Sequence, residues 1–149
     1  MADGKILLVE DNADDVLLTK RALERAHVAN GLEVANDGIE ALEYLRGEGK
    51  HKGRDTDDMP VVVLLDLKMP RMGGLEFLRI VREDKRLKLL PIVVLTSSKE
   101  EQDVIESYSL GANSYIQKPV DFDQFVKAIQ TLGLYWLVLN VNPTEAKRS

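Results

Sequence analysis

Short apolar runs alternate along the chain with longer segments in which apolar residues recur at helical spacing. The clearest run, residues 61–65, has five consecutive apolar residues, typical of a strand buried on both faces of a parallel sheet. Other candidate strands begin at Ile6, Leu32, Ile92 and Ser114. Strands that alternate with helical patterns indicate βαβ units. The pattern therefore predicts five strands and five helices in one α/β domain.

Residues that favour helix caps stand at the ends of the helical segments. Asn12 precedes the first helix, and Asp15 follows three positions later as in a capping box. Gly111 is expected to end a helix over about 99–110, and Asp121 to cap the last helix. Three further acids are interpreted only as caps or turn residues: Asp14, Asp15 and Asp37.

The segment 46–59 departs from this alternation. It contains three glycines and is rich in charged residues, so it predicts a solvated loop longer than most connections. His51 lies in this segment and His27 ends the first helix. Neither histidine has metal-ligating partners at a useful spacing, so both are interpreted as surface residues.

The composition narrows the classes of function. A chain of 149 residues suits one domain, with a core at about 5–132 and a C-terminal extension at 133–149. The net charge of -5 argues against a nucleic-acid partner, and the lack of cysteine excludes disulfides and thiolate chemistry. The start is polar, unlike a signal peptide, and no apolar run is long enough for a membrane span. We expect a cytoplasmic protein that does not associate with membranes.

Residues that can carry chemistry follow the strands, at the edge where open α/β sheets place their sites. Glu10 and Asp11 follow the first strand and Asp66 follows the third. Thr96 and Lys118 follow the fourth and fifth. Right-handed crossovers leave few ways to stack five such units. One common doubly wound order is 2-1-3-4-5, whose switch point lies between strands one and three. The three carboxylates should therefore converge.

Three converging carboxylates repel one another unless a cation offsets their charge. Mg²⁺ prefers oxygen ligands and keeps several waters, so it suits this set. With Mg²⁺ and Lys118 the formal charge is neutral, and the pocket would suit a phosphoryl group. Asp66 can attack phosphorus to form an acyl phosphate, and Thr96 can donate to a phosphoryl oxygen. The added charge would draw Thr96 and Lys118 inward.

With Met69-Pro70 and Gly73-Gly74, these residues make the chain resemble a receiver domain of two-component response regulators over about 5–132. The resemblance implies a flavodoxin-like fold and a phosphorelay in which a sensor histidine kinase phosphorylates Asp66. It implies that the domain is not an enzyme with a separate substrate and that it assists its own phosphorylation and dephosphorylation. It also implies these roles: metal ligands Glu10, Asp11, Asp66 and the carbonyl of Lys68; switch residues Thr96 and Tyr115; phosphate-binding Lys118; and Lys68 and Ser98 as neighbours of the hydrolytic water.

A narrower resemblance rests on residues 111–115, 119–122 and the apolar stretch 134–139. These segments are similar to the stand-alone regulators paired with bacterial and cyanobacterial phytochromes. The likeness implies a phytochrome-type kinase as phosphodonor. It also implies a homodimer formed through the fourth and fifth predicted helices, the fifth strand and the extension. The stretch 134–139 could instead be a helix extension that covers the core.

Three other functions remain open at this point. A phosphohydrolase with an Asp nucleophile commonly has a second acid two residues later, where this chain has Lys68. A flavodoxin-like cofactor binder needs a Ser/Thr/Gly-rich phosphate loop, but the acidic residues 10–15 would repel phosphate, and no glycine-rich phosphate motif is present. A degenerate receiver could act as a constitutive scaffold, although the site residues are all present.

Overall fold

A computed structural model describes residues 4–28, 30–96, 106, 108–117 and 122–133 of the chain. No helix within these residues is long and apolar enough to cross a membrane. The predicted alternation of strands and helices is confirmed over this part of the chain. The elements are β1 (Ile6–Val9), α1 (Ala13–Arg25), β2 (Leu32–Ala35), α2 (Gly38–Arg46), a 3₁₀ helix (Gly49–His51), β3 (Val62–Leu65), α3 (Gly74–Glu83), β4 (Ile92–Thr96), β5 (Ser114–Gln117) and a last helix (Phe122–Gly133).

The five strands form one parallel sheet in the order β2-β1-β3-β4-β5. This is the doubly wound order predicted from the sequence. In the register of the central strands, Val9 lies opposite both Ala35 of β2 and Leu65 of β3. The chain reverses its direction of progress across the sheet between β1 and β3, and such a reversal opens a crevice at the carboxyl ends of the strands.

The core is divided into two apolar clusters because successive strand residues point to opposite faces of the sheet. Leu7 and Val63 belong to the cluster on one face, which α2 and α3 cover. Leu8 and Leu64 belong to the cluster on the other face, which α1 and the last helix cover. The covering helices contribute these fully buried side chains: Ala41, Leu45, Phe77, Leu78 and Val81 on the first face, and Ala22 and Phe125 on the second.

The caps predicted for the first two helices are present. Asn12 and Asp37 each accept a hydrogen bond from the backbone N–H three residues later, at 3.0 and 2.9 Å. Gly111 has a φ of +95°, the left-handed conformation that a glycine at a helix end adopts readily. Residues 99–105 of the predicted fourth helix and the predicted cap Asp121 lie outside the described residues.

Most of residues 46–59 are exposed, as predicted for a solvated segment, but the segment is also folded against α2. It contains the 3₁₀ helix Gly49–His51. The Arg54 guanidinium lies 4.0 Å from the centre of the buried Tyr44 ring, and its Nε donates to the Tyr44 carbonyl at 2.6 Å. His51 meets the same ring edge-on at 5.1 Å. Arg54 is therefore an anchor, which a charge-rich composition does not reveal.

Candidate functional site

The two central strands bring the site residues together. Val9 and Leu65 are register partners, so the residues that follow them, Glu10 and Asp66, leave the sheet side by side. The Glu10 N–H donates to the Ala35 carbonyl at 2.9 Å, and the Asp66 N–H donates to the Val9 carbonyl at 3.0 Å. Backbone hydrogen bonds that continue the strand pairing therefore hold both acids, the β1–β2 pairing for Glu10 and the β1–β3 pairing for Asp66.

Three carboxylates converge at this edge of the sheet. Oxygens from Glu10, Asp11 and Asp66 all lie within 4.8 Å of one another. Glu10 and Asp66 are buried, at 2% and 7% exposure, whereas Asp11 is exposed. Like charges at this spacing repel strongly where water is partly excluded. An oxygen donor set of this kind fits a hard divalent cation, which would replace repulsion by attraction.

The loop after β3 fixes the orientation of Asp66. The Lys68 N–H donates to Oδ1 of Asp66 at 3.3 Å, and the Gly74 N–H donates to the Leu67 carbonyl at 3.1 Å. A Cβ at Gly74 would collide with the Asp66 carbonyl oxygen and would lie 2.8 Å from the Leu67 Cα. The first turn of α3 therefore approaches the Asp66 backbone as closely as only glycine allows.

The N-terminus of α1 adds an electrostatic field that favours negative charge at the site. This helix begins at Ala13, directly after the acidic pair Glu10-Asp11 and its cap Asn12. Its N-terminus carries partial positive charge, which stabilises nearby carboxylates. Asp14, predicted as a cap or turn residue, lies inside the first turn of this helix, and the cap is Asn12.

The structure describes the backbone of two further predicted site residues, Thr96 and Tyr115. Thr96 is the last residue of β4 and pairs with Gln117, while Tyr115 of β5 pairs with Val94. The backbone therefore places Thr96 at the carboxyl end of its strand, as predicted. The side chains of Thr96 and Tyr115, and the whole of Lys118, lie outside the described part of the molecule. Their roles stay predictions.

An ion pair between the start of α2 and the loop after β3 was missed by the sequence interpretation. Asp37 is 3% exposed, and its Oδ2 accepts from Arg71 Nε at 2.6 Å. Burial by itself would raise the pKa of Asp37. Hydrogen bonds from Arg71 and the Glu40 amide, with the charge of Arg71, outweigh burial and lower the pKa below its usual value. The sequence identified Asp37 only as a cap or turn residue, and no local signal links it to a residue 34 positions away.

Comparison with known proteins places the whole arrangement in a family. The family described as response regulator receiver domain matches residues 6–130. Response regulator Rcp1 of Synechocystis sp. is 35% identical over 132 residues, covering 89% of this chain and 88% of Rcp1. The Mn²⁺-bound structure of Rcp1 has a TM-score of 0.81, with 34% identity over 94% of this chain and 99% of that chain.

Two further solved structures are similar over nearly the full chain. The bacteriophytochrome response regulator AtBRR is 51% identical, with a TM-score of 0.77, and 95% of this chain matches 100% of that chain. The phosphorylated cyanobacterial phytochrome response regulator RcpA is 37% identical, with a TM-score of 0.83, and the match covers 95% and 99% of the two chains. The similarity therefore extends to response regulators of bacteriophytochromes and of cyanobacterial phytochromes.

Proposed function

The chain belongs to the response regulator receiver family and is related to phytochrome response regulators, and we propose that Asp66 is the residue on which it accepts a phosphoryl group. One observation carries this assignment. Asp66 is the buried acid at the end of β3 whose carboxylate shares a 4.8 Å cluster with Glu10 and Asp11. Asp66 is also the member of the cluster that the loop 67–74 orients through a backbone N–H.

The proposed reaction is a transfer between two proteins. A carboxylate oxygen of Asp66 forms a bond to the phosphorus of a phosphohistidine on a kinase. The P–N bond breaks, and its electron pair returns to the imidazole nitrogen. Hydrolysis later removes the phosphoryl group. Water attacks phosphorus, and the bond between phosphorus and the Asp66 oxygen breaks to give inorganic phosphate and the free carboxylate. In this proposal the chain assists both its own phosphorylation and its own dephosphorylation.

We assign Mg²⁺ to the carboxylate cluster. Glu10, Asp11 and Asp66 would hold the cation, and the backbone carbonyl of Lys68 would add another ligand. The cation supplies positive charge that offsets the negative charge on the phosphoryl oxygens in the transition state. The hydrogen bond from the Lys68 N–H keeps the Asp66 carboxylate in one orientation, so that the nucleophilic oxygen is positioned before the donor arrives.

The response to phosphorylation is assigned to residues beyond the cluster. Phosphorylation of Asp66 adds negative charge and strong acceptors to a crevice that already contains two other acids. Thr96 would donate its hydroxyl to a phosphoryl oxygen, and Lys118 would pair with the phosphoryl charge. Tyr115 would change orientation as Thr96 moves. The proposed output is a changed protein-binding surface near β4 and β5, or onward transfer to another protein's histidine.

We further propose a phytochrome-type sensor histidine kinase as the phosphodonor. The similarity to AtBRR, RcpA and Rcp1 supports this choice. The proposed homodimer uses the predicted fourth helix, β5, the last helix and the extension 133–149. A single receiver domain over 1–149 and a cytoplasmic location stay predictions.

Intact mass measurement tests the central assignment. The chain is incubated with acetyl phosphate, with and without Mg²⁺, as wild type, as Asp66→Asn and as Asp14→Asn. Asp14 is the matched control because it is an exposed acid near the same edge. We expect one Mg²⁺-dependent, alkali-labile adduct on wild type and Asp14→Asn, and none on Asp66→Asn. An adduct retained by Asp66→Asn would overturn the assignment. A folded wild type that forms no adduct with acetyl phosphate or with a phytochrome-type kinase would instead favour a constitutive scaffold.

A further inference from the structure

We propose that Arg71 is a positioning residue for the cation site, acting through its ion pair with Asp37. The ion pair holds the loop 67–73 against the junction between β2 and α2. In doing so it fixes the part of the loop that includes Lys68 and follows Asp66. This inference rests on the proposed cation site, but its main test needs no phosphorylation.

The loop 67–73 is held at two places. At its far end, α3 begins against the Asp66 backbone, where Gly74 leaves no space for a side chain. At Met72, just before that end, the loop lies against the start of α2. The Gly38 N–H donates to the Met72 carbonyl at 3.2 Å, and a Cβ on Gly38 would lie 2.8 Å from the Met72 Cγ. The contact between Gly38 and Met72 therefore forms only when residues 71 and 72 lie against the start of α2.

Arg71 adopts a backbone conformation that is costly for a residue with a side chain. Its φ is +59°, in the left-handed region that favours glycine. Strain of this kind persists only where the surrounding contacts maintain it, and it is common next to functional sites. Here the contact is the hydrogen-bonded ion pair of Arg71 Nε with Asp37 Oδ2 at 2.6 Å.

The partner of Arg71 is rigid. Asp37 is buried, and its other oxygen caps α2 by accepting from the Glu40 N–H at 2.9 Å. The strand before Asp37 ends at Ala35, whose carbonyl accepts the N–H of Glu10, a member of the acidic cluster. The guanidinium therefore bonds to a point that is fixed relative to the cluster, and not to a mobile surface acid.

This geometry bears on cation affinity because Mg²⁺ demands near-octahedral ligand positions. Asp66 and Lys68 precede Arg71 in the same short connection, so release of Arg71 would allow the Lys68 backbone to shift. Groups that orient metal ligands typically change metal affinity by about 10- to 100-fold when removed. Arg71 acts at a distance of several residues, so we expect about the lower end of this range for its loss.

The test measures Mg²⁺ affinity from the Mg²⁺-dependent rise in the unfolding temperature. The variants are Arg71→Ala, Arg71→Lys, Asp37→Asn and the double variant Arg71→Ala with Asp37→Asn. Arg79→Ala is the matched control, since it removes an exposed arginine that pairs with Glu83 on α3. We expect affinity about ten-fold weaker in Arg71→Ala and in Asp37→Asn, partial recovery in Arg71→Lys, and no further loss in the double variant.

A second measurement separates positioning from a general loss of structure. The rate of adduct formation with acetyl phosphate is followed against Mg²⁺ concentration. Arg71→Ala should need more Mg²⁺ for half the maximal rate but should reach nearly the wild-type rate at saturation. The proposal is overturned if the affinity of Arg71→Ala stays within about two-fold of wild type, if Arg79→Ala loses as much, or if the rate stays low at saturating Mg²⁺. A wild type that binds Mg²⁺ without forming an adduct refutes the proposed function alone.

Discussion

The main-chain N–H of Asp66 donates to the carbonyl oxygen of Val9 at 3.0 Å. This bond continues the β1–β3 ladder one residue beyond the paired Leu65, so the Asp66 side chain leaves the sheet at a fixed place beside Glu10. The sheet therefore positions the backbone of the acid assigned to phosphoryl transfer, and the loop that follows orients its side chain. A rigid backbone keeps the three carboxylates close together despite their mutual repulsion, which burial of Glu10 and Asp66 strengthens.

The first prediction concerns the energetic effect of the cation. Mg²⁺ at a concentration of about ten times its dissociation constant should stabilise the fold by about 1.4 kcal/mol, because the ion binds only the folded cluster. For a chain of this length we expect the unfolding temperature to rise by about 3–6 °C. In Asp11→Asn the rise should nearly disappear, whereas Asp14→Asn should behave like wild type. Differential scanning calorimetry with and without a chelator checks this. An equal rise in Asp11→Asn would place the ion elsewhere.

The second prediction concerns the close approach of α3 to Asp66. Gly74→Ala should destabilise the fold by about 1–3 kcal/mol, because the new methyl would meet the backbone of Asp66 and Leu67, which cannot move cheaply. It should also weaken Mg²⁺ binding, since the Asp66 backbone must shift. Gly31→Ala is the control, as its nearest neighbour is the flexible Lys5 side chain at 3.7 Å. Urea unfolding measures both variants, and equal stability of the two would contradict the argument.

The third prediction separates stability from the site. Arg54→Ala should cost about 1–3 kcal/mol, because it removes the contact with the Tyr44 ring and two hydrogen bonds to carbonyl oxygens. Mg²⁺ affinity should not change, since the segment 46–59 connects the end of α2 to the start of β3, away from the carboxyl edge. Urea unfolding and the Mg²⁺ titration test the two parts. An altered Mg²⁺ affinity would show coupling between the two edges.

The fourth prediction concerns acid stability. Burial alone would raise the pKa of Asp84, but hydrogen bonds from the Arg86 amide, the Arg46 guanidinium and the Leu87 amide outweigh it, so the pKa is lowered. A carboxyl with a lowered folded pKa contributes stability above its unfolded pKa of about 3.9 and loses it as the pH falls through the folded value. Asp84→Asn should therefore be less stable than wild type at neutral pH. Its difference from wild type should shrink as the pH falls from about 5 to 3, which urea unfolding at each pH measures. A constant difference would mean that Asp84 titrates alike in both states.

The fifth prediction concerns the proposed dimer. Deletion of the residues after Leu134 should weaken self-association, because it removes residues 135–139 of the apolar stretch. Sedimentation velocity over a range of concentrations, with and without acetyl phosphate, measures the effect. An unchanged profile, with the fold intact, would remove the extension from the proposed interface.

The extent of successful prediction differs between the fold and the site. The starts of β1 and β2, and the caps Asn12 and Asp37, agree with the sequence interpretation. These features depend on neighbours within a few positions, so a local pattern is enough to reveal them. Arg54 could not be predicted in the same way. A charged residue in a charged segment carries no sign that an aromatic ring from α2 lies beneath it.

The sequence by itself determined the parallel sheet and the carboxyl edge at which Glu10, Asp11 and Asp66 meet, and it limited the strand order to a few possibilities. It could do so because buried strands leave continuous apolar runs, and crossovers in such sheets have one hand. Only the tertiary structure decided how the loop after Asp66 is held. Arg71 reaches Asp37 across 34 positions, and its left-handed backbone is stable only because the two segments pack together. Contacts of this kind depend on the assembled fold, since the chain alone does not bring their partners near each other.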